Sequence, residues 1–74
     1  MDQTRFVYRG FVITPMAAYD GGLYAAMVII CDDRGQQRAS GVLGHFDSPE
    51  QASAFALTAG TDEVDRRLWH PVAA

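Results

Sequence analysis

The chain has 74 residues, 49% hydrophobic and 20% charged, with a net charge of −3. That length and balance describe one small globular domain, residues 1–74, rather than a disordered chain. They set aside a disulfide-built scaffold, because Cys31 is the one cysteine, and a whole-domain basic field for gathering phosphates, because acids outnumber bases.

At this size only about 60–65% of the unfolded surface is buried on folding, so stability is slender unless something assists it. The N-terminus, MDQTRFVYRG, has an early acid and no apolar stretch of signal-peptide type. The longest apolar run, Leu23 to Cys31, falls far short of the roughly 20 residues a membrane helix needs. The expected setting is the cytoplasm, with Cys31 reduced.

Arg5 to Thr14, RFVYRGFVIT, is rich in aromatic and β-branched residues and predicts a first strand, with Gly10 marking a bulge or a close backbone approach. Pro15 cannot donate to a ladder, which places this strand at an edge or bends it there. Met16 to Tyr19 continue the extended path to Asp20-Gly21-Gly22, a hairpin turn. The second strand, Leu23 to Cys31, is apolar in both alternating sets, as a strand covered on both faces is. Asp32 to Gly35 turn the chain again, and a glycine-interrupted third strand spans Gln37 to Phe46.

Ser48-Pro49-Glu50-Gln51 is a helix start: a capping serine, proline at the first helical position, an acid in the first turn and a glutamine able to close a capping box. The helix is predicted from Pro49 to about Trp69, stopping before Pro71, with Arg66 and Arg67 on the favourable side of the dipole. Ala52, Ala56, Gly60, Val64 and Leu68 form one row at i+4 spacing, flanked by Ser53 and Leu57. Such a row lets a helix backbone come close to a sheet. Gly60 costs about 1 kcal/mol against alanine in a helix interior, so it marks either that approach or a kink.

The expected fold is therefore α+β: a three-stranded antiparallel meander followed by one C-terminal helix packed on one face. One helix covers one face, yet the second strand is apolar on both. The remaining face calls for a second copy of the chain, by sheet packing or by pairing of edges. The alternative is a monomer whose alanines and the rings of Tyr8 and Tyr24 close that face.

No motif with a catalytic mechanism is present, and the domain reads as non-enzymatic with no cofactor and no metal. Cys31, His45, Asp47 and His70 lack the partners that nucleophilic or zinc chemistry requires. Asp20-Gly21-Gly22 lacks the lysine of a phosphate loop. Gly41-Val42-Leu43-Gly44 has the letters of a KH-domain loop but lies in a strand-like run. Asp62, Glu63 and Asp65 with Arg66 and Arg67 form a solvated helix face, with Glu63 and Arg67 spaced to pair.

The contact residues singled out are Arg5, Tyr8, Arg9, Phe11, Tyr24, Phe55 and Trp69. Arg5, Tyr8, Arg9 and Phe11 alternate basic and aromatic groups as single-strand RNA readers do, although the acidic balance makes nucleic acid the lesser partner. Trp69 either tucks against the sheet edge or joins Phe55 in a contact surface.

The chain resembles a family of small uncharacterised bacterial proteins through Tyr8-x-Gly10-x-x-Ile13, Asp20-Gly21-Gly22-x-Tyr24, Phe46-x-Ser48 and Phe55-Ala56, over about residues 6–68. That family implies fold and size and no activity. DGGLYAAMVII followed by DSPEQASAFAL is loosely similar to HicB-type antitoxins, whose strand–strand–strand–helix core meets an mRNA-cleaving toxin. This chain lacks that family's proline-glycine-cysteine stretch. The expected function is protein contact, foremost a homodimer, with a nucleic-acid-binding or HicB-like antitoxin regulator as the alternative.

Overall fold

The computed structural model describes residues 4–68. Its elements are β1 (Phe6–Tyr8), β2 (Phe11–Asp20), β3 (Leu23–Cys31), β4 (Gln37–Ala39), β5 (Gly44–Phe46) and α1 (Pro49–Leu68). This is an α+β arrangement with an antiparallel sheet, but the sheet has five strands where three were expected.

Both additional strands arise from breaks in predicted ones. The first predicted strand is a hairpin. Arg9 and Gly10 both take positive φ, 52° and 85°, the two-residue turn whose twist matches paired strands. Tyr8 therefore faces Phe11 across the ladder instead of preceding it along one strand. Gly10 serves this turn and not a bulge.

The third predicted strand is one lane in two pieces. β4 pairs with the Cys31 end of β3 and β5 with its Tyr24 end. Between them, Ser40 to Leu43 contribute two more residues than β3 spends over the same distance. Because the excess is even, the alternation of side chains survives the interruption. Ser40 stitches the gap: its N–H donates to the Val28 carbonyl at 2.9 Å, and its Oγ accepts the Val28 N–H at 3.0 Å.

The same bonds explain Pro15. Val28 directs both its backbone groups toward Ser40, away from β2, so the Pro15–Val28 pair is the non-hydrogen-bonded kind. The proline nitrogen then points to the opposite side, where β1 has already ended at Phe6 opposite Ile13. A residue with no N–H is tolerated because no ladder bond is asked of it. β2 runs through Pro15 to Asp20 and closes on β3 through a turn at Gly21 and Gly22.

Ser48 caps α1, its Oγ accepting the Gln51 N–H at 3.1 Å. The helix buries Ala52, Ala56, Gly60 and Val64, the predicted row up to its last member, while Leu68 is exposed. It meets Ile13, Ala26, Val28 and Ile30 on the sheet to form the core. A Cβ built on Gly60 would lie 2.7 Å from Ile13 Cγ2 and 3.0 Å from Val28 Cγ2. Gly60 is therefore the point of closest approach between helix and sheet, and α1 is one continuous helix through it.

Candidate functional site

Residues directly opposite each other share a face of the sheet, and neighbours along a strand alternate. The pairings Ile13–Ile30, Pro15–Val28, Ala17–Ala26 and Tyr19–Tyr24 lie under the helix, together with Phe6, Tyr8 and Phe11 of the first hairpin. The other face carries Val12–Cys31, Thr14–Ile29, Met16–Met27, Ala18–Ala25 and Asp20–Leu23, with Val7 beside Val12. No described element packs over this second face.

It is apolar across most of its extent. Thr14 and Ala25 are buried, Val12, Met16, Met27, Ile29 and Cys31 are half-buried, and Val7 is 78% exposed. Its acidic and basic strand residues sit at one end, where His45 Nε2 lies 3.0 Å from Asp20 Oδ2. His45 stands opposite Ala25, so both members of this pair belong to the open face. The face is an oily centre with a polar corner.

The open face measures about 450 Å², from the 28 residues of its five strands at spacings near 4.8 Å and a rise near 3.3 Å per residue. Two such faces in contact cover about 900 Å², the size of a weak or transient interface. Two methionines at its centre, Met16 against Met27, adapt in shape to an opposing surface.

Of the residues singled out for contact, Tyr8, Phe11 and Tyr24 lie under the helix and pack against the core. This placement overturns the alternative in which the rings of Tyr8 and Tyr24 close the second face. Tyr24 meets Tyr19 edge-on, with ring centres 5.4 Å apart. Phe55 is exposed on the helix flank, its ring 5.1 Å from that of Phe46. Arg5 is exposed ahead of β1. Trp69 and His70 lie outside the described residues.

Arg9 and Tyr8 are joined to the helix. Tyr8 donates its hydroxyl to both oxygens of Asp65, at 2.9 and 3.1 Å, and Arg9 Nη1 donates to Asp65 Oδ1 at 2.9 Å. The Arg9 hydrogen bond first, and the Tyr8 hydroxyl second, hold the Asp65 carboxyl below its ordinary pKa. The bond to Asp65 in turn raises the Tyr8 hydroxyl above its ordinary value. The basic–aromatic alternation is thus folded around a turn, with Tyr8 and Arg9 spent on one carboxylate.

The groups considered for chemistry are dispersed. Cys31 lies at one end of β3, and His45 is opposite Ala25 toward the other. Six residues of strand separate those positions, about 20 Å. Among the described residues no three His, Cys, Asp or Glu side chains gather where a metal could be held. No described helix is long and apolar enough to cross a membrane.

None of the strand residues of the open face, Val7, Met16, Met27 and Ile29 among them, was singled out for contact by sequence reasoning. Their signal was present in the two-sided pattern of Leu23 to Cys31. Assigning a partner set on β2 required knowing that the chain reverses at Arg9–Gly10. No family model, curated protein or solved structure matches the chain, so the use of this face is argued from its own chemistry.

Proposed function

We propose that the protein is a non-enzymatic interaction domain that works as a homodimer, two copies meeting through their open sheet faces. The observation that carries this reading is the apolar face opposite the helix, centred on Met16, Met27 and Ile29. Two identical copies suit it on electrostatic grounds. Its acidic and basic groups among the described strand residues are Asp20 and His45, together at one end, so a two-fold axis through the methionines keeps the centre of the contact free of charge. Packing would remove from water the side chains that the single helix cannot reach, and this is the assistance a domain of such size needs.

Sedimentation velocity at micromolar concentration tests it. The expected result is a dimer, converted to a folded monomer by Met27→Glu, which places a charge at the centre of the face. A wild-type chain that sediments as a monomer up to about 100 µM, well above the dissociation constants of stable dimers, would overturn the proposal.

A further inference from the structure

On the helix side, away from the open face, a cleft of about 350 Å³ lies between β3, the interrupted third lane and the second half of α1. Its lining combines an apolar floor, including Val28, Ile30 and Leu43, with Arg38, Arg66 and Arg67. Half of the chain's six basic residues therefore border one small cavity of a net acidic protein. We infer that this cleft binds a small amphipathic monocarboxylate, its apolar tail on Ile30 and Leu43 and its carboxylate on Arg38 and Arg67.

The charges at the cleft leave room for an anion. Glu63 is its acid, and that acid is already answered: Arg66 Nη2 donates to Glu63 Oε1 at 2.6 Å and Arg67 Nε to Oε2 at 3.0 Å. These bonds, Arg66 first, keep the Glu63 carboxyl below its ordinary pKa and therefore charged. Arg67 has spent one of five N–H donors on Glu63, which leaves its terminal nitrogens for a second acceptor. Arg38 has no carboxylate partner among the described residues. Asp32 lies in the adjoining hollow with Arg38 and Arg67, but its Oδ1 accepts the backbone N–H groups of Arg34 and Gln36 at 2.9 Å each. Within the lining, three guanidinium groups face the single carboxylate of Glu63, while Asp32 in the adjoining hollow and Asp62 beside Arg66 offset part of that positive excess from outside the cleft.

The apolar floor selects the rest of the ligand. Val28 and Ile30 are buried core residues whose outer surfaces the cleft reaches, and Leu43 is exposed beside them. An inorganic anion would leave that surface wet, and a neutral hydrocarbon would leave the guanidinium groups unused. The volume is at the small end of ligand sites, room for a short free acid and not for a length of polypeptide.

The test is an NMR titration of the full chain with sodium hexanoate, following the methyl groups of Val28, Ile30 and Leu43. Saturable shifts at these methyls are expected. Hexanol, with the same tail and no charge, should bind at least about fivefold more weakly, since a charge-assisted contact is lost. Acetate should leave the methyls unmoved. Arg38→Gln, at an exposed side chain with no described ion pair, should keep the fold and weaken hexanoate by about tenfold. The absence of saturable shifts, equal binding of hexanol and hexanoate, or an unchanged affinity in Arg38→Gln would each overturn the site. So would tighter binding of N-acetyl-Ala-Leu, which would make a peptide terminus the better occupant. The cleft is on the helix side, so the outcome does not depend on whether the open faces pair.

Discussion

Gly60 shows how one missing methyl group sets the distance between helix and sheet. Its ordinary cost inside a helix is about 1 kcal/mol relative to alanine, and helix propensity alone predicts that Gly60→Ala stabilises the protein. The opposite is expected here, because the added Cβ would fall 2.7 Å from Ile13 Cγ2 and 3.0 Å from Val28 Cγ2. Both neighbours are buried β-branched side chains with little rotamer freedom to yield. Overpacking of this kind costs about 1–3 kcal/mol, so Gly60→Ala should lower the urea midpoint. Ser40 is the second position where one side chain decides a backbone path. Ser40→Ala removes the acceptor of the Val28 N–H and leaves that donor unsatisfied beside the core, a loss of about 1–3 kcal/mol. Urea unfolding of both variants, with slopes compared to confirm two-state behaviour, measures these effects.

The first hairpin and the last turns of the helix, more than fifty residues apart in sequence, are tied through Asp65. This tie makes stability depend on pH from both ends. Asp65 has a lowered pKa in the folded chain, so its contribution is complete above the unfolded carboxylate value near 4 and disappears as pH falls through the folded value. Glu63, lowered by Arg66 and then Arg67, acts in the same direction. Tyr8 is raised above its ordinary 10.0, so its share is complete below about pH 10 and is lost as pH rises through the higher folded value. Asp65→Asn should therefore flatten both limbs of a plot of melting temperature against pH, the acid limb below about pH 4 and the alkaline limb above about pH 10. A profile identical to wild type at both ends would show that the hairpin is held by packing alone.

One helix on four lanes of sheet leaves half of the sheet's side chains without a cover of their own among the described residues, and the proposed pairing with a second copy would supply one. A dimer of this kind makes unfolding depend on protein concentration, since association stabilises by mass action. The melting temperature of wild type should rise across a hundredfold range of concentration, and that of Met27→Glu should stay constant. A concentration-independent wild-type transition that matches the variant's would count against the paired state. High salt should leave wild-type association intact or strengthen it, because the centre of the face is apolar.

Much of this architecture is legible in the local chemistry of the chain. Ser48, Pro49 and the four-residue spacing from Ala52 to Val64 specify the helix, its start and its inward stripe, because caps and periodicity act within a turn or two. Asp20-Gly21-Gly22 specifies the central hairpin, and the doubly apolar Leu23–Cys31 announces a strand with two faces to hide. Arg9 is not a residue that local rules place at positive φ, so nothing local signals the reversal it shares with Gly10, nor the strand count and the face of Tyr8 and Phe11 that follow from it. The pull on Arg9 and Tyr8 comes from Asp65, a residue more than fifty positions away, and no local pattern contains it. The same holds for the two-residue excess between Ala39 and Gly44, whose length is set by where Val28 needs a partner. Short-range preferences settle which segments are strand or helix. The face each side chain occupies, and so which surface stays open, depends on contacts that exist only once distant segments have met.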